Sequence, residues 1–201
     1  MCLRLDRLEV TGGFFLLIAW FGLVNGWKML AMVLGASLLH EMGHWLVLRL
    51  LGCETARLRI TVLGAELDSR SRQLSYGGEL AAVLAGPAVN LLAGLLLSRL
   101  GGVWTEAAGA QLVLCAFNLL PVRPLDGGRA LELAVSWAAG PEAGDRAARW
   151  VGAAVSLAVT AGMAWLMWNS GSLWLLPAAA GSIKTVCSEL SFGRFPAKKV
   201  K

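Results

Sequence analysis

His40 and His44 are the only two histidines in the chain, and Glu41 stands between them in the stretch Leu39-His40-Glu41-Met42-Gly43-His44. Residues four apart on a helix share a face, so both imidazoles can meet one ion there. At this spacing a helix holds zinc with two neutral imidazoles while the neighbouring glutamate serves as general base. The motif sits in an apolar run from about Met29 to Leu51. An ionisable group deep in such a run costs roughly 2.5–3.5 kcal/mol on insertion scales unless it is paired or liganded. Packing alone does not explain two imidazoles and a carboxylate at that depth. The competing reading is a chance match, and a second half of the site would weigh against it.

The chain supplies such a half in Asn118-Leu119-Leu120-Pro121-Val122-Arg123-Pro124-Leu125-Asp126-Gly127-Gly128-Arg129. Two prolines and two adjacent glycines do not fit a regular helix. Irregular backbone at membrane depth is tolerated where protein buries it or where it lines a wet cavity. A carboxylate held there, Asp126, is the natural third ligand for a tetrahedral zinc, leaving a fourth position for water. Asp126 could instead cap a helix over Ala130 to Trp137. The orphan histidine pair favours ligation over capping.

These groups must be positioned by membrane helices. Of 201 residues, 57% are hydrophobic and 15% charged, 24 are glycine, and mean hydropathy is +0.64. That composition points to an all-α polytopic membrane protein rather than a soluble domain. One membrane domain over 1–201, with core helices at about 29–136, leaves no room for a separate soluble domain. The net charge of +5 is no nucleic-acid signal, because the basic residues lie in loops between apolar runs. Cys2, Cys53, Cys115 and Cys187 share no C-x-x-C spacing and read as isolated small apolar residues.

About six transmembrane helices are expected. A retained first span covers Gly12 to Val24, with Asn25-Gly26 as a turn; no good cleavage site follows it. The second is Met29 to Leu51, long enough for a core of about 30 Å. Arg57 to Val62 and Ala65 to Asp68 alternate polar and apolar residues, which predicts a small membrane-associated β-hairpin, with a solvated linker as the alternative. The third span, Glu79 to Ser98, contains Gly86-Pro87-Ala88-Val89-Asn90. Asn90 is a buried amide in need of a partner, either helix–helix glue or a polar group facing the site. Ala108 to Leu120 is a short fourth segment. Gly140 to Arg149 reads as a polar loop, Trp150 to Trp168 as a span, and Leu173 to Val186 as a shorter last one. With cytoplasmic N- and C-termini, only Lys28 and Arg99 of the eighteen Lys and Arg fall outside. That bias follows the positive-inside rule and puts His40, His44 and Asp126 toward the cytoplasmic half.

In order, H-E-x-x-H at His40–His44, G-P-x-x-N at Gly86–Asn90 and the Asn118–Gly128 element resemble the site-2 protease family of intramembrane zinc metalloproteases. The resemblance covers residues 30 to 135 and is nearest to the stage IV sporulation protein FB subgroup. It implies one zinc per chain on His40, His44 and Asp126, a catalytic Glu41, and substrate contacts near Asn90 and Asn118. It also implies a membrane-anchored protein substrate in a bacterial cell membrane, of the transcription-factor-precursor or anti-sigma type. No PDZ-like insertion lies between the core helices, and no CBS domain is expected after the last span. A non-catalytic membrane scaffold keeping the metal site is one alternative. A small transporter is another, although no internal repeat supports it.

Overall fold

The structure is a computed structural model that describes residues 21–53 and 74–169, together with the backbone of 9–10, 56–61, 64–69 and 170. The chain forms two compact units, residues 1–119 and 120–201.

In the first unit, strand β1 (Glu9–Val10) runs parallel to β2 (Ala56–Thr61), which pairs antiparallel with β3 (Gly64–Ser69). The β2–β3 register sets Arg57 opposite Asp68 and Leu58 opposite Leu67. Residues 21–25 are helical, and Gly26, at φ 83°, turns the chain into α1 (Trp27–Leu50). The helices α2 (Tyr76–Ser98) and α3 (Trp104–Asn118) complete the unit. Ser75 caps α2, its hydroxyl accepting from the Gly78 amide at 3.2 Å. Pro87 lies buried within α2, and the helix continues through it.

Residue types are sorted in the opposite sense to a soluble core. The inward faces of these helices carry Ala36, His40, Gly43 and His44 on α1, Ala82, Gly86, Pro87 and Asn90 on α2, and Ala108, Gln111 and Cys115 on α3. The outward faces carry Leu38, Met42, Leu46, Leu92, Leu96 and Val113. Small residues inside and leucine outside suit helices that pack closely in lipid, where outward apolar surface has no water to avoid.

The second unit contains α4 (Asp126–Ala139) and α5 (Pro141–Ser170), separated by Gly140 at φ 90°. The expected polar loop at 140–149 is corrected: from Pro141 onward it is the first part of α5. Proline suits the first helical position because its missing N–H has no helical partner there. Glu142 adds an acid to the first turn, and Asp145 pairs with Arg149 one turn on at 3.1 Å. Charge raised the polarity of this stretch without opposing its helix. Gly144, Ala148, Gly152 and Ser156 form the buried stripe of α5. A Cβ on Gly144 would run into the Ser136 hydroxyl of α4, which accounts for the glycine.

Among the described residues, α1, α2 and α5 are long and apolar enough to cross a membrane. Most of the expected first span and all of the last, Leu173 to Val186, lie outside the described residues. At the end of α1, Arg49 lies over the Trp45 ring, 5.1 Å from its centroid. Aromatic and basic residues of this kind gather at membrane–water boundaries.

Candidate metal centre

The histidine pair is built by two antiparallel helices, each contributing residues at a spacing of four. Ala36, His40 and His44 line one face of α1, and Ala82, Gly86 and Asn90 face them from α2. His44 Nδ1 lies 2.8 Å from the Ala82 carbonyl oxygen. A carbonyl only accepts, so Nδ1 carries the proton and Nε2 the lone pair. His40 Nδ1 lies 2.9 Å from Asn90 Oδ1, and Asn90 Nδ2 donates to the Ala36 carbonyl at 3.2 Å and to Gln111 Oε1 at 2.7 Å. His40 is therefore also protonated at Nδ1.

The two Nε2 atoms are 3.1 Å apart, with the rings edge to face and their centroids separated by 4.7 Å. Two lone pairs converging at that distance repel unless a positive charge lies against both. The donor set and its fixed tautomers fit a divalent cation that takes imidazole nitrogen, as zinc does. Both rings are nearly closed off from outside: His40 is 5% exposed and His44 9%.

Gly86 makes this approach possible. A Cβ there would lie 2.7 Å from His44 Cε1 and 2.8 Å from His40 Cε1, and closer still to His44 Nε2. Gly43 plays the reciprocal part on α1, where a Cβ would lie 2.7 Å from the Ala85 carbonyl oxygen. Half-buried Glu41 falls about 60° around α1 from His44, on the flank of the imidazole face.

Asn90 was expected near substrate. The structure places it fully buried behind His40, with its carbonyl and amino groups both engaged. Asn118 is the last residue of α3, and its amide donates to the Leu114 carbonyl at 3.2 Å. Gln111 was missed by the sequence reading. Its signal was that of a single amide in an apolar run, and its partner lies on another helix.

In the second unit, Asp126 is the first residue of α4 rather than part of an irregular segment. The capping alternative is corrected too: Leu125 occupies the cap position, and no side chain caps the helix. An acid in the first turn sits at the positive end of the helix dipole. The segment before it is held tightly. Val122 packs against the first turn of α4, and Arg123 pairs with Glu132 and Asp145, each at 3.0 Å. A Cβ on Gly128 would lie 2.6 Å from the Val122 carbonyl carbon and 2.8 Å from the Arg123 nitrogen. Those atoms are backbone and cannot swing aside. Gly128→Ala is expected to destabilise the purified protein by about 1–3 kcal/mol, the usual range for overpacking, read as a lower unfolding midpoint in detergent.

No protein-family model matches the chain. A solved structure, the site-2 protease from Methanocaldococcus jannaschii, superposes with a TM-score of 0.64. The match covers 100% of this chain and 97% of that one at 19% identity. The fold is that of a site-2 protease. By sequence, a zinc metalloprotease of Methanocaldococcus jannaschii is 29% identical over 123 residues, 55% of this chain and 35% of the relative. A relative from Synechocystis sp., provisionally designated a zinc metalloprotease, is 30% identical over 157 residues, 73% of this chain and 40% of its own length. The chain thus spans well under half the length of these curated relatives. Their names and the shared fold support the site-2 protease family.

Proposed function

We propose that the chain is an intramembrane zinc metalloendopeptidase that cleaves a membrane-anchored protein. The observation that carries this reading is the convergence of the His40 and His44 lone pairs inside a helix long enough to span a bilayer. His40, His44 and Asp126 each offer one donor atom of a kind that zinc takes, and together they are the proposed ligand set for one ion. When bound, zinc supplies Lewis-acid activation of water and of a peptide carbonyl.

The protein groups do the rest. Glu41 accepts a proton from the attacking water and returns it to the leaving amine. Asn90 holds His40 at Nδ1, and the Ala82 carbonyl holds His44, so neither ring can turn its proton toward the ion. Asn118, half-buried at the end of α3, is the proposed contact for the substrate backbone. A helical substrate hides its carbonyls in internal hydrogen bonds, so the segment to be cut must unwind first. The β2–β3 pair is proposed to lie against the membrane face and to receive the extended chain by strand addition.

The wider reading is one catalytic domain with six spans and cytoplasmic termini in a bacterial cell membrane. Its substrates are transcription-factor precursors or anti-sigma-type regulators. The order of the three motifs supports the site-2 protease family, and within it the proposed subgroup is the sporulation type.

The test is bound metal in detergent-purified protein. About one zinc per wild-type chain is expected, with a clear loss in Asp126→Ala. Zinc absent from folded wild type would remove the protease reading. Zinc unchanged in the variant would remove Asp126 from the ligand set.

A further inference from the structure

Gln111 has no part in the chemistry above, yet it is 4% exposed in the middle of an apolar helix. Its Oε1 accepts from Asn90 Nδ2 at 2.7 Å, and Asn90 Oδ1 in turn meets His40 Nδ1 at 2.9 Å. A line of polar contacts thus runs from α3 through α2 to an imidazole on α1, among residues that are otherwise apolar or small.

The polarity of this line has one fixed end. The Ala36 carbonyl can only accept, and it draws Asn90 Nδ2 toward itself at 3.2 Å. Gln111 Oε1 is the second acceptor on the same nitrogen. With both hydrogens of Nδ2 used, Oδ1 faces His40 and Nδ1 must carry the imidazole proton. If the Asn90 amide flipped, its nitrogen would donate to His40 Nδ1. The imidazole proton would then sit on Nε2, the atom that faces His44, and that nitrogen could not bind a metal. The flip also sets Asn90 Oδ1 against two acceptor oxygens, one of them from Gln111.

We propose that Gln111 is a positioning residue that holds Asn90 in the orientation keeping His40 Nε2 unprotonated and ready to ligate. The role of His40 as a ligand rests on the function proposed above, whereas the tautomer can be read without any metal. The chain has only two histidines, so imidazole nitrogen resonances of the full chain, labelled at histidine, report each ring separately. In metal-free protein in micelles at about pH 8.5, where imidazole is neutral, both wild-type rings are expected as the Nδ1–H tautomer.

Gln111→Met removes the acceptor at similar volume. It is expected to raise the Nε2–H share of His40 and to weaken zinc binding, measured by chelator competition, about tenfold. Gln111→Glu keeps an acceptor oxygen and is expected to restore both values. His44, held by the Ala82 carbonyl, should not change in either variant. A wild-type His40 in the Nε2–H form would overturn the proposal, as would Gln111→Met with wild-type tautomers and affinity. If Gln111→Met loses helix content, Gln111→Ala takes its place with the same expected shift. If that also fails to fold, the wild-type tautomer and the Gln111→Glu variant decide. Wild type with the expected tautomers but no zinc affinity would remove the proposed function and leave the positioning role standing.

Discussion

Glu41→Gln is expected to lower the cleavage rate by about 10²–10⁴, the range for losing a general base, while bound zinc stays at the wild-type level. The amide has nearly the same size and shape as the carboxylate but cannot take up a proton at neutral pH. Glu41 lies on the flank of the imidazole face of α1 and is not one of the proposed ligands, so the variant separates chemistry from metal binding. Its rate should be measured on a membrane-anchored reporter that the wild type cuts, with metal content determined on the same preparation. Because the lost interaction belongs to the transition state, kcat should fall while KM stays nearly constant. Zinc lost in parallel with activity would make Glu41 a ligand. Cleavage at the wild-type rate would place the base elsewhere.

The histidine pair was legible because three independent facts met at one place. The spacing was helical, the surroundings were apolar, and no other histidine competed. Helix α1 was legible for the same reason as its motif, since an apolar run of that length has few other fates. The polar alternation at Arg57–Val62 and Ala65–Asp68 pointed to extended backbone, and among the described residues there are strands at Ala56–Thr61 and Gly64–Ser69.

At the start of α5, hydropathy misled. Residues 141–149 look like a loop by polarity, yet an N-terminal proline, early acids and an i,i+4 ion pair all favour a helix there. Asp126 was judged from two prolines and two glycines. The prolines precede the helix, and the glycines sit within its first turn, where Gly128 makes room for the Val122 backbone. Gln111 and Asn90 illustrate a deeper limit. Asn90 was visible as a buried amide needing a partner and Gln111 was not singled out at all; the contacts that join them to each other and to His40 span 21 and 50 residues. No local periodicity carries that information; only the packing of three helices does.

Gly86→Ala is the substitution expected to damage the site most for its size. It adds one carbon to α2, yet that carbon would fall 2.7 Å from His44 Cε1 and 2.8 Å from His40 Cε1. Neither ring is free to retreat. His44 is tethered to the Ala82 carbonyl and His40 to Asn90, so turning either ring away breaks the hydrogen bond that sets its tautomer. If the helices separate instead, the contact of Gly43 with the Ala85 backbone is lost, and with it the approach that brings the two Nε2 atoms to 3.1 Å. Either way the donors no longer meet one ion. Zinc affinity is expected to fall about 10–100-fold, and cleavage by about 10²-fold even when zinc is saturating, since a 1 Å misplacement costs that much. Gly35→Ala is the control. Gly35 lies on α1, the helix that carries both histidines, with open space where its Cβ would go, so alanine there should leave both quantities unchanged. Wild-type zinc affinity in Gly86→Ala would mean that the rings can move without losing the ion. The close packing of α1 on α2 would then not be what builds the site.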